Sequence, residues 1–120
     1  SRGKMDYGDY KVSTENDYST IIDDMWNGRA QLVDIREAQE WEQARFECAI
    51  HIPLSDLSNG IGIDILKEIK AANKKIYLHC LSGSRVRVAE ILLAQYGCKD
   101  FSIIPFSMME MLEKGFKPKQ

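Results

Sequence analysis

Apolar and polar positions alternate with two different periods along this chain, and the switch between them marks its elements. Tyr18, Ile21, Ile22, Met25 and Trp26 recur at helical spacing and stop at Gly28, which predicts an amphipathic helix of about three turns. Ser13 is the expected N-cap of this helix, with Glu15 and Asp17 in its first turn. Gln31 to Ile35 is a short apolar run that reads as a strand. A polar stretch holding Trp41 and Phe46 follows and predicts one short helix and a loop. Ala49 to Ile52 is the second strand, stopped by Pro53. Asp64 to Ile69 reads as helix, with Ile65, Leu66 and Ile69 on one face. Lys75 to His79 is the third strand. Ser84 to Tyr96 predicts a helix, in which Val88, Ile91, Leu92 and Gln95-Tyr96 repeat at helical spacing and Gly97 is the cap. Phe101 to Ile104 is the fourth strand, and Met108 to Lys114 makes a last short helix before Gly115.

Strands alternating with helices imply βα units. The expected fold is α/β, a mainly parallel central sheet with helices on both faces. No repeat, linker or low-complexity tract interrupts it, so residues 12–118 are expected to form one domain. Residues 1–11 are polar and aperiodic and read as an N-terminal arm. Ser1 to Lys4, ahead of Met5, resemble a vector-derived remnant.

Composition narrows the function classes. The 120 residues are 44% apolar and 28% charged, ordinary for a globular chain that buries one core without staples. No run is long and apolar enough to span a bilayer, and no signal peptide is visible, so no membrane role is expected. Residues 1–73 hold 8 basic and 14 acidic side chains, residues 74–120 hold 8 and 4. The basic second part suggests anion handling but lacks the dense stripe of a nucleic-acid binder. Three cysteines without a Cys-x-x-Cys pair, and only two histidines, argue against a disulfide framework and against a metal site. Such sparse cysteines fit a reducing, cytoplasmic setting.

The chemistry is expected where ligands bind open α/β sheets, beyond the carboxyl ends of the strands. There stands Cys80, Leu81, Ser82, Gly83, Ser84, Arg85, a turn between a strand and a strong helix. So short a loop must curl, and Gly83 permits a positive φ within it. The curl points backbone N–H groups inward as an anion nest, to which the helix start adds positive potential. Arg85 adds a cation and the serines add hydroxyl donors. No acidic residue lies between Lys74 and Glu90. A thiol beside cations at a helix start ionises readily.

These residues resemble those of the rhodanese-like family, whose active-site loop also runs six residues from Cys to Arg. Several further motifs match in order. Asp34-Ile35-Arg36 matches the family's Asp-x-Arg after its first strand, and Glu40-Trp41 its Glu with an aromatic. Ala49 to Leu54 matches its Ala-Ile-Asn-Ile-Pro-Leu, and Gly115-Phe116 its closing Gly-Tyr. The resemblance implies a sulfurtransferase in which Cys80 takes a sulfane sulfur from a donor such as thiosulfate. The persulfide would sit in the loop of Leu81, Ser82, Gly83, Ser84 and Arg85, and a thiophilic acceptor, cyanide or a protein thiol, would remove it. No cofactor or metal is implied. The implied partners are a small anionic sulfur donor or a protein persulfide, and a thiol acceptor protein.

Among the supporting residues, Asp34 is expected to accept hydrogen bonds from the loop backbone. Arg36 is expected either to guide an anionic donor or to form an ion pair with Glu37 or Glu40, the second being favoured. Arg87 joins the basic mouth or a solvated helix face. His79 should point away from Cys80. Cys48 and Cys98 read as structural thiols. The chain departs from the family at Ala44 to Cys48, where a Gly-His pair is usual, at Phe106-Ser107, where the family has Gly-Gly, and at Met111, where it has Trp. Phe106 is expected to overhang Cys80. Two other readings compete. A phosphatase of related fold needs one more residue between Cys and Arg. A non-catalytic docking module would use Met108, Met109 and Met111 as an adaptable patch.

Overall fold

A computed structural model describes residues 12–14, 18–98, 101–104 and 106–120. The expected arm over residues 1–11 lies outside the described residues, as do Glu15 and Asp17.

Five parallel strands form one sheet in the order β1-β5-β4-β2-β3. They are β1 (Val12–Thr14), β2 (Ala30–Asp34), β3 (Ala49–His51), β4 (Lys75–His79) and β5 (Phe101–Ile103). The helices are α1 (Tyr18–Trp26), α2 (Ala38–Gln43), α3 (Leu54–Ser58), α4 (Ile63–Ala71), α5 (Arg85–Gln95) and α6 (Met108–Glu113). The register β2 to β4 pairs Ala30 with Lys75 and Asp34 with His79, so the two central strands end together.

Each central strand is buried on both faces, and the period of two divides its side chains between two cores. Val33 of β2 and Ile35 just after it, with Ile76 and Leu78 of β4 and Cys80 just beyond it, pack against Leu57 of α3, Ile63 and Leu66 of α4, and Val86, Ala89 and Leu93 of α5. Ala30, Leu32 and Tyr77 face the other way, onto Ile21 of α1, Met108 and Met111 of α6, Phe46 and Phe116. Helices thus cover both faces, as the alternation of elements predicts.

Several local expectations need correction. Ser13 is not a helix cap: it lies in β1, paired with Ser102, and α1 begins at Tyr18. The strand β1 is itself additional to the four expected. Helix α3 also went unread, because five residues are too few to show a period. On α5 the buried positions are Val86, Ala89, Glu90 and Leu93, while Val88 and Ile91 are about half exposed. Likewise Ile65 of α4 and Trp26 of α1 face outward, and Ile63 and Leu66 carry the α4 contact.

Candidate active site

The strand β4 delivers Cys80 to the sheet's carboxyl edge, one residue beyond His79. Cys80 is fully buried, on the same face as Ile76 and Leu78. From there the chain bends through Leu81, Ser82, Gly83 and Ser84 into α5. Gly83 has φ +92°, a conformation that L side chains rarely adopt. This turn brings its N–H back onto the sulfur, 3.2 Å from Cys80 Sγ. The start of α5 stands behind it, with its first N–H groups lacking intrahelical acceptors. The hydroxyls of Ser82 and Ser84 meet at 3.2 Å on the exposed rim. Leu81, also exposed, accepts a hydrogen bond at its carbonyl from Met108 N–H at 3.0 Å. The loop is therefore tied to the beginning of α6, where Ser107 Oγ caps the helix by accepting from Glu110 N–H.

Arg85 does not stand free beside the sulfur. Its Nη1 and Nη2 donate to the two oxygens of Glu40 at 2.6 and 2.8 Å, a bidentate pair joining α5 to α2. Glu40 also accepts from Glu37 N–H at 3.0 Å. The Arg85 hydrogen bonds hold the Glu40 carboxyl down at about 2 against burial. Arg85 is raised in turn, first by Glu40 and at longer range by Cys80 and Glu37. In the sequence Glu40 reads as part of a motif and as a candidate partner of Arg36. Its pairing with Arg85 is not readable there, because 45 residues separate the partners.

Asp34 and Arg36 are both buried, and they bind each other rather than the loop. Asp34 Oδ1 accepts from Arg36 N–H and Nε, and Oδ2 from Nη2 at 2.8 Å. The expectation that Asp34 holds the loop backbone is thus incorrect. Arg36 forms an ion pair, as favoured, but with Asp34 instead of Glu37 or Glu40. Buried there, Arg36 cannot reach out to a donor. His79 lies on the face opposite Cys80, packed on Phe46, with Nε2 3.5 Å from Asp34 Oδ2. Burial pushes its pKa down to about 4, against the pull of Asp34. Arg87 faces the buried Glu90, 3.5 Å away on its own helix.

Phe106 does not overhang Cys80. Its ring, partly buried, packs on Tyr18 at 5.5 Å and against the core on the other face of the sheet. Met108 and Met111 are core residues and only Met109 is exposed, so the three do not make one surface patch. Cys48 and Cys98 stand apart from the loop, and burial of each sulfur pushes its pKa up. Among the described residues no group of three His, Cys, Asp or Glu side chains is arranged to hold a metal ion. No described helix is long and apolar enough to cross a membrane.

Known proteins share this fold. The chain is 31% identical over 104 residues to the mitochondrial thiosulfate sulfurtransferase RDL2 of Saccharomyces cerevisiae, a match covering 78% of this chain and 70% of that protein. The crystal structure of the yeast single-domain sulfurtransferase RDL2 superposes with a TM-score of 0.63 at 24% identity, over 92% of this chain and 95% of that one. The human single-domain sulfurtransferase TSTD1 does so with a TM-score of 0.62 at 23% identity, over 80% and 92%. These two structures show a common fold. A family model of the rhodanese-like domain matches residues 18–114, the stretch that runs from α1 through the cysteine loop to the end of α6, and the chain belongs to that family.

Proposed function

We propose that this chain is a sulfurtransferase that carries a sulfane sulfur on Cys80 from a donor, thiosulfate being the reference case, to a thiophilic acceptor. The observation that carries the reading is the Cys80 sulfur held under the Gly83 N–H at the start of α5. A thiolate attacks the sulfane sulfur and the donor's S–S bond breaks. Its electron pair leaves with sulfite when thiosulfate is the donor. The outer sulfur of the Cys80 persulfide is then the charge that the loop N–H groups and the helix start stabilise. In the second half-reaction cyanide or a thiol acceptor attacks that outer sulfur and the Cys80 thiolate departs. The loop residues Leu81, Ser82, Gly83 and Ser84 supply the cradle, and Arg85 anchors it through Glu40. Asp34 and Arg36 brace the neighbouring strand end and touch no reacting atom. The three thiols are free, in keeping with a reducing compartment such as the cytoplasm.

The test is to incubate the protein with thiosulfate, look by mass spectrometry for one added sulfur on Cys80, and measure thiocyanate on adding cyanide. Cys80→Ala should abolish both signals. Cys48→Ala and Cys98→Ala should keep most of the rate. Loss of transfer in either of these two variants, with folding intact, would refute the assignment to Cys80 alone.

A further inference from the structure

Away from the cysteine loop, the outer face of α1 is built unlike a solvated helix surface. Trp26 stands there 82% exposed, a large aromatic side chain that the described residues leave mostly in water at the cost of its apolar burial. Tyr18, Ile22 and Trp26 are spaced four apart, so they form one ridge along the helix. A groove runs along each side of that ridge. One is walled by Met25, Phe116 and the exposed Cys48, the other by Ser19 and Asp23 of the neighbouring helical row. Glu47 and Lys117 line the first groove, Asp23 and Lys114 the second. Each flank of the ridge therefore carries one carboxylate and one ammonium.

We propose that this face of α1 is the interface of a homodimer, in which the ridge of Tyr18, Ile22 and Trp26 on each copy packs into a groove of the other, with the two helices antiparallel. A ridge of residues four apart, seated in the groove beside an identical ridge, is the commonest way for two helices to pack. The patch supplies both ridge and groove, as a two-fold contact requires. Charge points to the same occupant. Turned over on itself, like flank on like flank, the surface sets Glu47 against Lys117 of the second copy and Asp23 against Lys114. A partner of one sign, such as a nucleic acid or an anionic bilayer, meets as much repulsion as attraction here. Trp26 is the anchor, a residue type enriched where truncation costs an interface most. Helix α1 packs through Ile21 on the core that excludes Cys80, so the contact leaves the cysteine loop uncovered and the inference does not depend on the sulfurtransferase reading.

Sedimentation velocity over a roughly hundredfold range of protein concentration should show a reversible monomer–dimer equilibrium. Trp26→Ala should raise the dissociation constant about a hundredfold, because each dimer loses two anchors. Glu47→Lys should raise it about tenfold, and the double exchange of Glu47→Lys with Lys117→Glu should return it to within about threefold of the wild type. Glu47 and Lys117 are both exposed, so this pair of proteins tests the contact even where Trp26→Ala fails to fold. A second reading comes from Cys48, which lines the groove. Its alkylation should slow as the wild-type concentration rises and keep one rate in Trp26→Ala, while Cys98, outside the contact, keeps one rate in both. A monomer at every concentration overturns the proposal and leaves the surface to another partner. A dimer that Trp26→Ala leaves intact, or that the double exchange weakens further than Glu47→Lys alone, overturns it as well.

Discussion

At the scale of single residues, the most consequential pairing is Glu40 with Arg85, since it decides what charge the cysteine loop presents. It also leaves a signature in acid. The carboxyl of Glu40 is held at about 2, first by the Arg85 hydrogen bonds, against an ordinary value of 4.5. A folded-state pKa below the unfolded one stabilises the fold fully above about 4.5, and that contribution drains away as pH falls towards about 2. Unfolding by urea between these limits should therefore show a steeper loss of stability in the wild type than in Glu40→Gln. Parallel curves for the two proteins would mean that the pair does not persist in solution. His79 acts in a higher window. Burial keeps it neutral with a pKa of about 4, so the unfolded chain takes up that proton first, and stability should begin to fall below about 6.5. In His79→Gln the decline that sets in below 6.5 should be smaller than in the wild type, whatever the variant's overall stability.

At the scale of elements, the strands at the centre and the cysteine loop were legible in the sequence, whereas the orientation of α5 was not. Lys75 to His79 reads correctly as β4 because an apolar run bounded by polar residues has only one place in such a sheet. The loop reads correctly because its geometry is local: a strand end, a glycine and a helix start within six residues. Helix α5 fails for a physical reason. Val86, Val88, Ala89, Ile91, Leu92, Leu93 and Ala94 leave apolar side chains on nearly every side, so periodicity alone does not choose a face. The choice falls to the turn at Gly83 and to Arg85, which is drawn to Glu40; Val86, Ala89 and Leu93 then point inward and Val88 and Ile91 outward. Substitution should separate the faces. Leu93→Ala should cost about 2–5 kcal/mol of unfolding free energy, as for a large core side chain. Ile91→Ala should stay within about 0.5 kcal/mol. Equal losses in chemical denaturation would return α5 to the orientation read from periodicity.

At the scale of the whole molecule, the two cores meet the candidate site at the paired ends of β2 and β4, where Asp34 and His79 stand opposite each other in register. Cys80 continues one core, and His79, packed on Phe46, closes the other. Between them Asp34 neutralises Arg36, with both side chains almost wholly out of solvent. Sequence reasoning found these two residues through a motif and misplaced the role of Asp34, because nothing in the spacing tells whether a strand-end carboxylate turns to the loop or to the arginine two residues on. The structure separates stability from chemistry here. Asp34→Asn keeps the shape but strands a buried guanidinium, and breaking a buried pair from one side costs about 3–5 kcal/mol. Since Asp34 bonds Arg36 and no atom of the cysteine loop, the fraction that remains folded should load sulfur on Cys80 at close to the wild-type rate. Urea denaturation and loading kinetics on the same preparation check the two halves together. A variant as stable as the wild type but slow to load would show that Asp34 acts on the loop after all.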